Sequence, residues 1–146
     1  MIYIIKDSSD PLASYIKDDP VRPHIPNEQR FGQNRAVLAL TDNNLVKAVV
    51  CTKLCSMIPS NEDELLQDNS SNPNTAVFYT IWSYSPGAGQ QLIREGLDKF
   101  KKEHPYIKRF VTLSPPTEMA KKFHLKNGAV VLRINSGTVN YEYIQY

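Results

Sequence analysis

The chain has 146 residues, of which 41% are hydrophobic and 22% charged, and it carries a formal net charge of +2. That size and balance suit one globular domain with a real core. The small charge argues against a nucleic-acid binder, and no apolar run is long enough to span a bilayer.

Residues 1–7, M-I-Y-I-I-K-D, are too short an apolar run for a signal peptide and read as a first strand, so a cytoplasmic location is expected. Residues 11–17 predict a short helix stopped by Asp18, Asp19 and Pro20, and residues 21–33 a loop. Residues 35–40 and 45–57 predict strands around an Asp/Asn turn at 41–44, hence a hairpin. Cys51 and Cys55 then share one strand face, too far apart along it for an easy disulfide. No His or second Cys pair completes a zinc site, so buried free thiols and no metal are expected. Ser60 with an acid three residues later predicts the start of a short helix, followed by a polar connection at 68–74.

Residues 76–82, A-V-F-Y-T-I-W, predict a buried strand, and the Pro and two Gly of residues 83–89 force a turn. Leu92, Ile93, Leu97 and Phe100 recur at helical spacing until His104-Pro105. Strand, Gly-rich turn and helix start make a candidate anion site, because backbone N–H groups and the helix dipole both favour a phosphate there. Its candidate residues are Ile81, Trp82, Ser83, Ser85, Gly87, Ala88, Gly89 and Gln90. The Lys and Arg of the second half, Lys126 among them, are offset by acids and read as a solvated face from which some reach a bound phosphate. Residues 106–113 predict a strand parallel to the one before the helix, completing a right-handed crossover. Ser114-Pro115-Pro116 ends it, a short helix follows at 117–125, and residues 129–134 and 138–143 predict a last hairpin. The order predicts an α/β (α+β) fold: a single domain over 1–146, with a mixed central sheet and helices on both faces.

The Tyr84-Ser85-Pro86-Gly87-Ala88-Gly89 loop after the central strand resembles that of the GNAT acyltransferase superfamily, with Tyr84 where the superfamily has Gln or Arg. Six flanking segments in order add to this, among them F-V-T-L-S-P at 110–115 and H-L-K-N-G-A at 124–129. Together they resemble the catalytic domain of malonyl-CoA decarboxylase, a GNAT-like branch, from about Arg35 to Tyr143. That resemblance implies a coenzyme A thioester, malonyl-CoA or acetyl-CoA, as small-molecule partner. It implies Ser114 and His124 as the catalytic pair; a monomer or homodimer is expected. Ser114 is expected to orient the acyl group. His124 is expected to donate a proton, with a pKa near operating pH, and backbone N–H groups at 81–83 to stabilise developing charge. The family's long helical segment between serine and histidine is here only residues 115–123. A regular helix would carry His124 roughly 12 Å from its start near Ser114, so the pair meets only if the helix is irregular or folds back over the site.

Two other functions compete. One is acyl transfer to an amine, with Tyr141 or Tyr84 as acid and Glu118 as base. The other is a module that binds coenzyme A or a protein partner without turnover.

Overall fold

The computed structural model describes residues 1–144, so the last two residues of the predicted 1–146 domain lie outside it. Alternating apolar residues build seven strands into one sheet of order β1-β2-β3-β4-β5-β7-β6. The strands are β1 Ile2–Ile5, β2 Arg35–Asp42, β3 Leu45–Cys55, β4 Thr75–Ser83, β5 Arg109–Thr112, β6 Ala129–Ile134 and β7 Val139–Tyr143. Neighbours are antiparallel except β4 and β5, which the crossover makes parallel. The β2–β3 turn is closed by Asn43 and Asn44, both at positive φ (51° and 65°), the geometry a two-residue hairpin needs.

Both sheet faces are covered. Helices α2 Ala88–Glu103 and α3 Glu118–Lys126 lie on one, over Leu38, Val50, Phe78 and Phe110. The predicted stripe holds, since Leu92, Ile93 and Phe100 are buried and Leu97 packs at the margin. A 3-10 helix, Pro11–Asp18, and α1 Glu62–Gln67 cover the other face over Val77, Tyr79 and Trp82. Cys51 and Cys55 are free and buried on that second face. The cap of α1 differs from the predicted one by a residue. Asn61 accepts from Glu64 N, while Ser60 donates through both N and Oγ to the Glu64 carboxylate.

A single extra residue shapes the middle of the sheet. Cys51 pairs with Thr80 and Thr52 with Phe78, leaving Tyr79 as a bulge in β4. Before it, Phe78 O accepts from Leu113 N and β4 runs beside β5. After it β4 stays with β3, Tyr84 N donating to Lys47 O, and parts from β5. The bulge reverses which residues face the gap: by the period of two, the N–H groups of Ile81 and Ser83 now point into it. The sheet opens there into a cleft.

The gap is plugged on its far side by the loop before β2, held by a buried ion pair. Arg30 Nη1 donates to Asp19 Oδ2 at 2.9 Å, and neither side chain is exposed. The remaining donors of Arg30 reach Ile25 O, Arg22 O and Cys51 Sγ. Arg22 donates in turn to the Tyr79 carbonyl at the bulge.

Candidate active site

The predicted turn closes as a helix start. Gly87 is the N-cap of α2 at φ +80°, a left-handed conformation that a side chain would strain, and no side chain caps the helix. Ala88 N donates to Ser85 O and Gln91 N to Gly87 O. The N–H groups of Gly89 and Gln90 between them donate to no acceptor among the described residues, and both residues line a cavity of about 420 Å³. Ser83, Ser85 and Gly87 line it too, as do Phe123, Lys126 and Asn127 from α3 and its cap. Of the eight candidates, Ala88 falls away: its side chain is in the core and its N–H is used within the turn. Lys126 adds the cation that the turn lacks.

A second cavity, of about 850 Å³, adjoins the first and shares Ser83, Tyr84, Gly89 and Phe123 with it. Ile81 and Trp82 line this one, with Phe78, Thr80 and Met119, and it ends at Ser114 and His124. One groove therefore runs from the open helix N-terminus to the two residues.

Ser114 sits just past β5, where its N and O exchange 2.9 Å bonds with Val139. Its hydroxyl lies 3.2 Å from His124 Nε2, and both side chains are buried. The distance expected from helical rise is overturned, because the rise starts at Thr117, the N-cap of α3, and not at Ser114. Three extended residues carry the chain about 10 Å out, and seven helical residues bring it about 10 Å back.

Three more side chains complete the cluster. Ser114 Oγ donates to Thr112 Oγ1 at 2.8 Å, and Thr112 Oγ1 also accepts from Tyr141 N at 3.1 Å. The Tyr143 hydroxyl lies 2.7 Å from His124 Nδ1, and the Tyr141 ring stacks on the imidazole with centroids 5.0 Å apart. Each ring nitrogen thus faces one hydroxyl, Nε2 that of Ser114 and Nδ1 that of Tyr143, and the direction of the hydrogen-bond chain decides which nitrogen carries the proton. Burial lowers the His124 pKa to about 4, against the expectation of a value near operating pH. The resting ring is neutral.

The residues proposed for amine chemistry are placed otherwise. Tyr84 donates to Asp18 Oδ2 at 2.7 Å and accepts from Trp82 Nε1; burial and Asp18 push its pKa up to about 12. Tyr141 is committed to packing on His124, and Glu118 is exposed and lines neither cavity.

Gly89 couples the two cavities. A Cβ there would stand 3.0 Å from Phe123 Cε1 and 3.2 Å from Cζ, and Phe123 lies edge-on to His124 with centroids 5.2 Å apart. Gly89→Ala should gain about 1 kcal/mol of helix propensity and lose about 1–3 to the displaced ring. The net should be a loss of up to about 2 kcal/mol, read by urea unfolding of the variant. A net gain would mean that the Phe123 ring yields freely.

Among solved structures, malonyl-CoA decarboxylase from Agrobacterium vitis superposes with a TM-score of 0.82 at 20% identity, over 98% of this chain and 60% of that one. The GNAT domain of S. lividans PAT superposes at 0.65 and 16% identity, over 97% of this chain and 88% of that one. The chain has the GNAT fold. A Bacillus subtilis acetyltransferase solved in complex with CoA shares the GNAT fold at 0.68 and 12% identity, over 99% and 98% of the two chains. This chain thus spans about 60% of the length of the decarboxylase and nearly all of that acetyltransferase. No protein-family model and no curated protein matches the chain. Within the GNAT fold, the splayed β4–β5 pair and the turn entering α2 are the parts that carry the groove described above.

Proposed function

We propose that this chain binds an acyl-CoA along the groove and decarboxylates a malonyl-type thioester. The observation that carries this reading is the 3.2 Å contact between Ser114 and His124 at the end of a groove whose other end is an open helix N-terminus. The open N–H groups of Gly89 and Gln90, with Lys126 opposite, suit a pyrophosphate. The apolar walls at Phe78, Ile81 and Phe123 suit the pantetheine arm. The CoA bound to the B. subtilis neighbour supports the same ligand class.

The chemistry follows from what the residues offer. When the carbon–carbon bond to the carboxylate breaks, its electron pair stays on the α-carbon and spreads onto the thioester oxygen. The N–H groups of Ile81 and Ser83 face the gap and are the donors for that charge. Ser114 turns its hydroxyl from Thr112 to the acyl group and orients it. His124 gives its Nε2 proton to the α-carbon while Nδ1 takes the Tyr143 proton, so the ring stays neutral and ends in the other tautomer. After the product leaves, water in the groove reprotonates Nε2 while Nδ1 returns its proton to the Tyr143 oxygen, which restores the starting tautomer. The products are carbon dioxide and the acetyl-type thioester.

Transfer to an amine is the weaker reading. Asp18 is the one carboxylate lining the groove among the described residues, and it is occupied by Tyr84.

Incubation with malonyl-CoA tests the proposal. Release of acetyl-CoA is expected, reduced about 10²–10⁴-fold in Ser114→Ala and in His124→Ala. Coenzyme A at about 100 times its Kd should stabilise the fold by about 2.7 kcal/mol, read as a rise in melting temperature. No rise at millimolar coenzyme A would sink the ligand assignment. A rise without acetyl-CoA, but with acetylation of a supplied amine from acetyl-CoA, would move the activity to acyl transfer. A rise with neither reaction would leave a binding module.

A further inference from the structure

Thr112 contacts Ser114 directly, yet the chemistry above gives its hydroxyl no role. It lies fully buried on β5, two residues before Ser114, and its side chain faces the same way. Its Oγ1 is held in place by the backbone N–H of Tyr141 at 3.1 Å, and its carbonyl accepts from Asn140 Nδ2 at 2.8 Å. Two bonds from β7 thus fix the place of Thr112, one of them from backbone to Oγ1 itself.

We propose that Thr112 is a positioning residue that sets the direction of the hydrogen-bond chain Tyr143–His124–Ser114–Thr112, and with it the tautomer of His124. The inference rests on the Ser114–His124 pair of the proposed function but not on the reaction assigned to it. The chain can run one of two ways. With Thr112 accepting from Ser114, Nε2 holds the proton and points it at Ser114, and the imidazole is a donor toward the groove. Without that acceptor, the Ser114 hydroxyl has only Nε2 to bond. Nε2 must then accept, the proton moves to Nδ1 and donates to the Tyr143 oxygen, and the imidazole becomes a base. The same two catalytic side chains would then favour activation of a serine nucleophile over delivery of a proton. One buried threonine, which reaches His124 only through Ser114, decides between these.

The test is the tautomer itself, read from the side-chain ¹⁵N shifts of ¹⁵N-labelled protein at pH 7, with the His124 signals assigned by their loss in His124→Gln. Wild type and Thr112→Ser should carry the proton on Nε2. Thr112→Val, similar in shape but without the hydroxyl, should carry it on Nδ1. Wild type with the proton on Nδ1 overturns the proposal whatever the variants do. So does a folded Thr112→Val that keeps the proton on Nε2. If Thr112→Val does not fold, Thr112→Ala is read in its place, with the same two outcomes. On malonyl-CoA, Thr112→Val should lose at least tenfold in kcat with KM little changed, and Thr112→Ser should restore it. Equal losses in Thr112→Ser and Thr112→Val would leave Thr112 a packing residue and overturn the proposal. A tautomer that shifts as stated in a protein with no decarboxylase activity would uphold this inference and sink the reaction.

Discussion

Replacing Arg30 with methionine should cost about 3–5 kcal/mol of stability, a drop in melting temperature of roughly 10–15 °C. Arg30 and Asp19 are both without exposed side-chain surface, 2.9 Å apart. Asp19 Oδ1 also accepts from the N–H groups of Val21 and Arg22. Methionine fills the space but leaves the buried carboxylate with no cation in contact, Arg22 acting on it only from further off, and the carbonyls of Arg22 and Ile25 each lose the donor that Arg30 gave them. Most of the cost lies in the stranded charge, and that part has its own test. Asp19→Asn made in the Arg30→Met protein removes the charge while keeping an acceptor for the two N–H groups, and it should recover a third or more of the loss. Urea unfolding of wild type and the two variants measures this. A loss below about 1 kcal/mol, or an Asp19→Asn change that only adds to it, would mean the pair does not hold the loop. The consequence reaches the site, because this loop places Arg22 on the Tyr79 carbonyl at the bulge that opens the cleft. The double variant should therefore bind coenzyme A more weakly even where it is folded.

Periodicity made most of the fold legible. The run of residues 76–82, the Pro-Gly turn and the Leu92–Phe100 stripe read correctly as β4, its turn and α2 because each obeys one strong local rule. The parallel partner β5 followed from the handedness of crossovers. The turn was visible as an anion site, but not which of its N–H groups stay open, since that depends on Ala88 bonding back to Ser85. Ser114 and His124 were visible as residues, and their contact was not. Helix rise gives a length and no direction, and the two prolines that send the chain outward before α3 returns it carry no sign of that reversal. Thr112 and Tyr143 had no local signal at all, because a strand residue beside a core reads the same whether it faces an imidazole or a leucine. Arg30 had no signal either. Residues 21–33 read only as a loop, and the burial of Arg30 depends on partners 11 and 21 residues away. Lys126 was legible only as one of many basic residues, and its position over the turn is a product of how α3 packs.

Lowering the pH from 6.5 to 4 should cost the folded protein about 3 kcal/mol through His124 alone. Its pKa is about 4 in the fold, against an ordinary 6.5, and burial is the cause. The groups facing the ring are the hydroxyls of Ser114 and Tyr143 and the ring faces of Tyr141 and Phe123. None of these carries a negative charge at these pH values to stabilise an imidazolium, since burial raises the Tyr143 and Tyr141 pKa values. Between pH 4 and 6.5 the unfolded chain binds a proton here that the folded chain does not, so stability rises with pH. The contribution is complete above 6.5 and is lost as pH falls through that window, at up to about 1.4 kcal/mol per pH unit. The lowered carboxylates, Asp7, Asp10 and Glu64, act in the same direction, but below about pH 4. Unfolding curves of wild type and His124→Asn at pH 7, 6, 5 and 4.5 separate the two. The variant starts less stable, having lost the ring, yet its stability should hold nearly level over this range while that of wild type falls. Parallel curves would mean that His124 titrates normally and is exposed in solution. Activity carries the same signature. A neutral donor keeps working below pH 6.5, so kcat on malonyl-CoA should stay flat to about pH 5 and fail only as the ring, or the fold with it, takes up the proton.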